Sequence, residues 1–303
     1  MQVKLAQFRK LNLVLDKKYV WPYSGFAMNR LSLADRAKLL GMLVEGNSLR
    51  AISRMGDLSI NTVTKLLVDV GAACSAYQDK TMVNLPCQRI QVDEIWCFCF
   101  AKQKNVTPEI AAKNPFAGDV WTWAAIDADT KLIPSWIVGP RDSMTARLFI
   151  NDLAGRLADR VQLTTDALTL YFNAIQRAFQ GEVDYPQIVK VFGKVSTEGQ
   201  RRYSPAECIG CERKAIMGYP DPKHVSTSYI ERANLTMRMG MRRFTRLTNG
   251  FSKKIENHSA AVAIHMMHYN FTRIHKTLRV TPAMEARIAD HVWSLEDIAS
   301  LAN

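Results

Sequence analysis

The sequence predicts an α/β protein with a mixed five-stranded sheet and helices, preceded by an all-α segment. Apolar residues recur at helical spacing through residues 31–70. From Arg89 onward the pattern changes to short runs rich in β-branched and aromatic residues, which favour strands. The chain has 303 residues, of which 48% are hydrophobic, so it can bury a sizeable core in two or three domains.

Three helices are predicted in residues 31–70, where Ser32 can cap the first and Ser59 the third. A Gly-bearing turn joins the second helix to the third, which is typical of a helix-turn-helix. The inward positions of the third helix are Ile60, Val63, Leu66, Leu67 and Val70. Its outward positions are Asn61, Thr62 and Lys65. Those side-chain types can reach base edges and phosphates. A plain three-helix packing unit is the alternative.

Strands are predicted at 90–100, 119–127 and 131–138, followed by an amphipathic helix at 143–158 and a short strand at 161–165. Three antiparallel strands, a helix and a strand that returns beside the first are the start of a ribonuclease-H-like core. This order predicts that the first and fourth strands are neighbours in the sheet.

The domain division follows from these patterns. We expect a lead-in at 1–30, a helix-turn-helix domain at 31–75, a main domain at 88–275 and a helical tail at 276–303. A linker is expected at 75–88. Proline and glycine are frequent in 181–226, which predicts an irregular insertion or a long loop. Two helices are expected after it, at about 227–246 and 254–272.

Three acidic residues lie in different local sequence contexts. Asp93 lies inside an apolar run, Asp166 ends another, and Glu231 begins a helix. A carboxylate in a buried strand costs several kcal/mol unless it is compensated, and Mg²⁺ or Mn²⁺ is the usual compensation. Phosphodiester chemistry suits such a centre. Because neighbouring residues of a strand face opposite ways, we expect only one of Asp93 and Glu94 to face the site.

The charge indicates a polyanionic partner. The net charge is +12, and the stretch after Glu231 carries basic residues and no acid up to Ile255, at Arg232, Arg238, Arg242, Arg243, Arg246, Lys253 and Lys254. On one continuous helix, Glu231, Arg238 and Arg242 would share a face. Double-stranded DNA is the expected partner. No long apolar span or signal-peptide core is evident, so neither a membrane nor an export route is expected, and the expected location is cytoplasmic.

Several motifs occur in an order that resembles a known family. They are Val92-Asp-Glu94, Thr165-Asp166, Ile230-Glu-Arg-Ala-Asn234, Arg242-Arg-Phe-Thr-Arg246, Phe251-Ser-Lys253, and Tyr269-Asn270 with Arg273, His275, Leu278 and Thr281-Pro282. The chain resembles DDE transposases of the IS1 insertion-sequence family over roughly residues 89–300. The choice of Asp93 over Glu94 rests on this resemblance.

The resemblance implies metal-dependent DNA strand cleavage and strand transfer. It implies that Asp93, Asp166 and Glu231 are the catalytic residues and hold two Mg²⁺ (or Mn²⁺) ions, with Arg238 near the terminal phosphate. Element ends and target DNA would be the partners, bound by a dimer or a larger assembly. Arg273 and His275 are expected to contact DNA. Two rivals stay open, namely a non-enzymatic DNA-binding regulator and a ribonuclease-H-like nuclease without transfer activity.

Cysteine spacing suggests one further site. Cys208 and Cys211 form a Cys-x-x-Cys pair with His224 further on, which is a pattern found at zinc sites. A fourth ligand at standard spacing is missing, so packing or loop thiols are the alternative. Cys97 and Cys99 alternate along a predicted strand and are expected in the core.

Overall fold

The computed structural model describes residues 31–193, 208–245 and 249–303, so the expected lead-in at 1–30 lies outside the described residues. The described chain opens with three helices, α1 (Leu33–Val44), α2 (Leu49–Met55) and α3 (Ile60–Thr81). The hydroxyls of Ser32 and Ser59 accept the N–H groups of Asp35 and Thr62, which confirms both predicted caps. The prediction that Ile60 faces inward on α3 is wrong. The side chain of Ile60 is exposed, because Ile60 begins the helix and lies beyond the turns that pack.

Helix α3 is longer than the sequence indicated. Residues 75–81 are mostly polar and suggested a linker, but the helix continues to Thr81 and buries Ser75 and Gln78. The Gln78 side-chain amide donates to the carbonyl oxygen of Ala263, 3.3 Å away in a C-terminal helix. These polar residues are helical because they pack against that helix, and the all-α segment is thereby joined to the end of the chain.

A six-stranded mixed sheet forms the centre of the molecule, in the order β3-β2-β1-β4-β5-β6. The strands are β1 (Arg89–Cys99), β2 (Gly118–Asp127), β3 (Ser135–Gly139), β4 (Val161–Asp166), β5 (Val183–Phe192) and β6 (Cys208–Met217). The first three are antiparallel, β4 is parallel to β1, and β5 is parallel to β4. This arrangement is compatible with the predicted ribonuclease-H-like core, with one strand more than expected.

The extra strand corrects the prediction of an irregular insertion at 181–226. Strands β5 and β6 pair antiparallel, and β5 extends the sheet beside β4. Val183 and Tyr185 are buried, at the two-residue spacing of a strand. Pro186 had suggested a loop, but it lies where the register between β5 and β6 shifts, and a proline is tolerated at such an irregularity.

Helices cover both faces of the sheet. The others are α4 (Pro108–Lys113), α5 (Ser143–Ala154), α6 (Thr169–Phe179), α7 (Ser228–Gly240), α8 (Ile255–Met267), α9 (Pro282–Glu285) and α10 (Leu295–Ser300). Trp123 of β2 contacts Phe149 of α5 and Tyr171 of α6, which places α5 and α6 on one face. Helix α7 packs against β1 and β2 from the other face. A π-helical turn, His268–Thr272, continues α8.

The helix predicted at 227–246 is shorter. Helix α7 ends at Gly240, Met241 adopts an extended conformation, and a separate 3-10 turn covers Arg242–Phe244. Two features explain this break. The last helical residue is a glycine, and the side chains of Met241 and Phe244 that follow it are buried. Through the described part of the chain, no helix is both long enough and apolar enough to cross a membrane.

Candidate metal centre

The centre of the site is the point where β1 passes the end of β4. The two strands are parallel, and Gln91 lies opposite Thr164. Continuing this register by two residues brings Asp93 level with Asp166, the last residue of β4. Residues in register on parallel strands face the same way. The strand pairing therefore explains why two carboxylates far apart in sequence meet.

Glu94 belongs to the same cluster, which corrects the expectation that only one of Asp93 and Glu94 could reach the site. One carboxylate oxygen from each of Asp93, Glu94 and Asp166 lies within 4.8 Å of the others. Because β4 ends at Asp166, no residue of that strand stands beside Glu94. Its longer side chain can reach around the strand end from the opposite face.

Glu94 is buried and held by two side chains. The Tyr171 hydroxyl donates to its Oε2 at 2.8 Å, and the Arg141 guanidinium donates to its Oε1 at 2.8 Å. Arg141 also stacks on the ring of Trp121. Burial raises the pKa of Glu94, while the hydrogen bond from Tyr171 and the charge of Arg141 oppose the rise. The carboxylate is thus fixed in place before any ligand arrives.

Asp93 faces helix α7, where the Asn234 side-chain amide donates to its Oδ2 at 2.9 Å. The pKa of Asp93 is raised to about 7, chiefly by burial and also by the neighbouring charges of Glu94 and Asp166, while the hydrogen bonds from the Glu94 N–H and from Asn234 lower it. A carboxyl group with this pKa is about half protonated at neutral pH. A bound cation would displace that proton.

The donor set suits a hard divalent cation. The cluster offers three carboxylates, and Asn234 adds a fourth oxygen close by. Its Oδ1 is buried and has no hydrogen-bond partner among the described residues, which is costly for an amide oxygen. Mg²⁺ and Mn²⁺ bind carboxylate and amide oxygens. An unpartnered oxygen beside clustered carboxylates is what such a cation would satisfy.

Glu231 stands at the edge of this cluster rather than in it. It is exposed on the first turn of α7, where its Oε1 accepts the Thr227 hydroxyl at 2.6 Å and contacts the ammonium of Lys190. Of the three predicted ligands, the described structure brings Asp93 and Asp166 together and pairs Glu231 with Lys190. The assignment of all three as ligands stays a prediction.

Gln91 ties the helix that carries Glu231 to the sheet. Its buried side-chain oxygen accepts the backbone N–H groups of Tyr229 at 2.8 Å and Ile230 at 3.2 Å. These are N–H groups of the first helical turn, which have no partner within the helix. Sequence reasoning missed Gln91. Its position two residues before Asp93 on the same strand face was the available signal.

The predicted DNA contacts of α3 lie on its outer surface. Asn61 and Lys65 are exposed, and Lys65 pairs with Asp69 one turn later. Thr62 is partly buried, and its hydroxyl shares a hydrogen bond with that of Ser59 at 2.8 Å. Asn61 and Lys65 therefore lie on the outer surface of α3, Thr62 is only partly accessible, and a role of these residues in DNA binding stays a prediction.

The basic residues after Glu231 do not form the predicted stripe. Arg238 is partly buried on α7, and Arg242 is exposed beyond the helix break at Met241. Arg243 turns inward, where its guanidinium donates to the Ser252 hydroxyl at 2.8 Å and burial lowers its pKa to about 10. Arg246 lies outside the described residues.

Four further predicted DNA contacts are scattered over the C-terminal part. Lys253, Lys254 and Arg273 are exposed. His275 is partly buried, and one ring nitrogen hydrogen-bonds the Thr277 hydroxyl at 3.0 Å. Burial lowers the pKa of His275, and the charges of Lys131 and Arg273 lower it further.

The zinc pattern stays a prediction. Cys208 and Cys211 both lie on β6, and the side chain of Cys208 is outside the described part of the structure. His224 contacts the Arg89 guanidinium at 2.6 Å. Among the described residues, the acid cluster is the only group of three or more metal-type ligands. Cys97 and Cys99 are buried in the core, as predicted.

The chain resembles a solved transposase complex in structure, at low similarity. No protein-family model and no curated protein matches the sequence. A crystal structure of a pre-cleavage Mos1 transpososome matches at 12% identity with a TM-score of 0.21, over 53% of this chain and 60% of that chain. The match thus spans less than two thirds of that chain's length.

Proposed function

We propose that this chain is a DDE transposase that cleaves the ends of an insertion sequence and joins them to target DNA. The observation that carries the proposal is the set of three carboxylate oxygens within 4.8 Å at the junction of β1 and β4. The sequence motifs that resemble IS1-family transposases contain all three of these residues, and the resemblance assigns the ligand role to Asp93 and Asp166 together with Glu231. Glu94 extends the set.

The residues of the acid cluster and those that contact it have separate roles in the proposed phosphoryl transfer. Asp93, Glu94 and Asp166 would hold the cation, and Tyr171 and Arg141 orient the carboxylate of Glu94. Divalent cations, two in the proposed reaction, would activate water or a DNA 3′-hydroxyl and stabilise the leaving oxygen. Asn234 aligns Asp93 and presents its unpartnered oxygen beside it. Fixing these groups in advance supplies positioning rather than covalent chemistry.

DNA would be held by residues outside the cluster. Helices α2 and α3 are proposed as a helix-turn-helix, with Asn61, Thr62 and Lys65 toward the duplex. Arg238, Arg242, Lys253, Lys254 and Arg273 are proposed to follow phosphates. Transposition joins two element ends, so we propose that at least two copies of the chain assemble on paired ends. Binding should weaken steeply with salt, because phosphate contacts release counterions.

A plasmid assay tests the proposal. A supercoiled plasmid that carries the coding region with its flanking DNA is incubated with the purified chain and Mg²⁺. We expect excision at the element boundaries and joining of the 3′ ends to a second plasmid. Asp93→Asn and Asp166→Asn should each abolish both steps while DNA binding persists. Asp159→Asn is the matched control, because Asp159 is exposed in the turn before β4.

The outcomes separate this function from its rivals. Cleavage without joining would identify a nuclease that lacks transfer activity. End binding without Mg²⁺-dependent cleavage would identify a non-enzymatic regulator. Cleavage by Asp93→Asn or Asp166→Asn within tenfold of the parent rate would remove that residue from the centre.

A further inference from the structure

Lys190 is a positively charged side chain at the acid cluster that the proposed reaction does not use. It lies on β5, two residues beyond Ile188, which is the register partner of Asp166. Residues 188 and 190 face the same way along the strand. Lys190 therefore points from the neighbouring strand toward the side of the sheet on which Asp93 and Asp166 meet.

The contacts of Lys190 join Glu231 to the cluster. Its ammonium forms an ion pair with Glu231. Burial by itself would lower the pKa of Lys190, but the hydrogen bond to Glu231 and the charges of Glu231, Asp93 and Asp166 outweigh burial and raise it. The ammonium thus lies in the field of three carboxylates that come from three separate elements of the fold.

We propose that Lys190 is a positioning residue that holds Glu231 in the protein without divalent cation and competes with that cation for the carboxylates. This inference rests on the proposed function. Glu231 has one strong cationic partner in the described structure, and its carboxylate cannot bind a metal ion fully while it is paired with that ammonium. Glu231 would then change partner when the cation binds, so that assembly of the centre depends on cation occupancy.

Metal affinity, rather than DNA cleavage, is the readout that a merely structural lysine would leave unchanged. Mn²⁺ binding to the full chain without DNA is measured by calorimetry and by the electron paramagnetic resonance signal of free Mn²⁺. Lys190→Met should bind Mn²⁺ about fivefold more tightly than the parent, the ratio expected for removing a half-exposed ion-pair competitor. Lys190→Gln should change the affinity in the same direction.

Two variants show where the effect arises. Lys214→Met is the matched control, because Lys214 is on the adjacent strand β6 and pairs with exposed Glu212 at 3.4 Å. Its Mn²⁺ affinity should equal that of the parent. Adding Asp93→Asn to Lys190→Met should remove the gained affinity. Circular dichroism confirms that each variant is folded.

The results distinguish this inference from the proposed function. If the parent binds Mn²⁺ and cleaves DNA, but both Lys190 variants bind Mn²⁺ no more tightly, only the competition is overturned. If neither the parent nor Lys190→Met binds Mn²⁺, the competition and the metal centre both fail. A gain in Lys190→Met that Asp93→Asn abolishes supports the competition at the acid cluster.

Discussion

Replacing Asp93 by asparagine should stabilise the folded protein in the absence of divalent cations. The pKa of Asp93 is raised from 3.8 to about 7, chiefly because the carboxylate is buried and also because Glu94 and Asp166 lie beside it. A carboxyl group with a raised folded pKa binds its proton more tightly in the folded protein than in the unfolded chain. Stability therefore falls as pH rises from 3.8 to about 7. Asparagine has a similar shape, can still accept from Asn234, and carries no charge.

The expected gain in the free energy of unfolding follows from the rise in the pKa of Asp93. About three pKa units correspond to roughly 4 kcal/mol, at about 1.4 kcal/mol per unit. Salt screens the part that arises from Glu94 and Asp166. We therefore expect Asp93→Asn to raise the free energy of unfolding by about 2 to 4 kcal/mol at about pH 8. The gain should shrink as the pH falls through the interval between about 7 and 3.8.

Urea unfolding in a chelator, followed by circular dichroism across that pH interval, measures the gain. Asp297→Asn is a control for which the opposite change in stability is expected. The Asp297 carboxylate accepts the Ser294 N–H at 2.7 Å, and this hydrogen bond lowers its pKa. Loss of its charge should reduce stability at neutral pH. An Asp93→Asn protein no more stable than the parent at about pH 8 would refute the claim that the cluster is electrostatically strained.

Three other substitutions test the packing of α3 against α8, the anchoring of α7 to the sheet and the DNA surface proposed on α3. Gly71→Ala should lower the free energy of unfolding by at least about 1 kcal/mol, because a Cβ there would lie 2.6 Å from the Cα of Ala260. Gly41→Ala is its control and should not destabilise, since its Cβ would meet only the flexible end of a leucine side chain. Gln91→Leu should cost about 1 to 3 kcal/mol and speed hydrogen exchange in the first turn of α7, because two N–H groups lose their acceptor. Lys65→Ala should weaken binding to every duplex and reduce its salt dependence, whereas unchanged binding would remove Lys65 from the DNA surface.

The sequence predicted that the first and fourth strands are neighbours, because the early strands can be recognised from their residue types. The run around Asp93 and the run ending at Asp166 are apolar and short, and their pairing follows from a single crossover helix. Strand β5 was missed because Pro186 and the surrounding glycines indicated a loop. Only the pairing of β5 with β4 shows that Val183 and Tyr185 fill the core. Pairing between distant strands is not visible in local composition.

The sequence predicted only part of the candidate site, because the rest depends on contacts between elements that are distant in the chain. Asp93 and Asp166 were found because a carboxylate in an apolar strand is anomalous by itself. Glu94, Lys190 and Gln91 were not assigned to the site, because an acid beside an acid, a lysine in a strand and a glutamine in a strand are each ordinary. Their roles depend on which side chains approach from α6, α7 and β5.

The charges around the cluster predict how many cations bind before DNA. Once a cation displaces the proton of Asp93, the carboxylates of Asp93, Glu94, Asp166 and Glu231 supply four negative charges, and their cationic partners in the described structure, Arg141 and Lys190, supply two positive charges. Four minus two leaves two negative charges, which one divalent cation neutralises. A second cation would carry a net positive charge into a partly buried site, which is unfavourable until a DNA phosphate arrives. We therefore expect one Mn²⁺ per chain without DNA and two with an end-bearing duplex. Calorimetry that gave two tightly bound Mn²⁺ ions per chain without DNA would refute this charge argument.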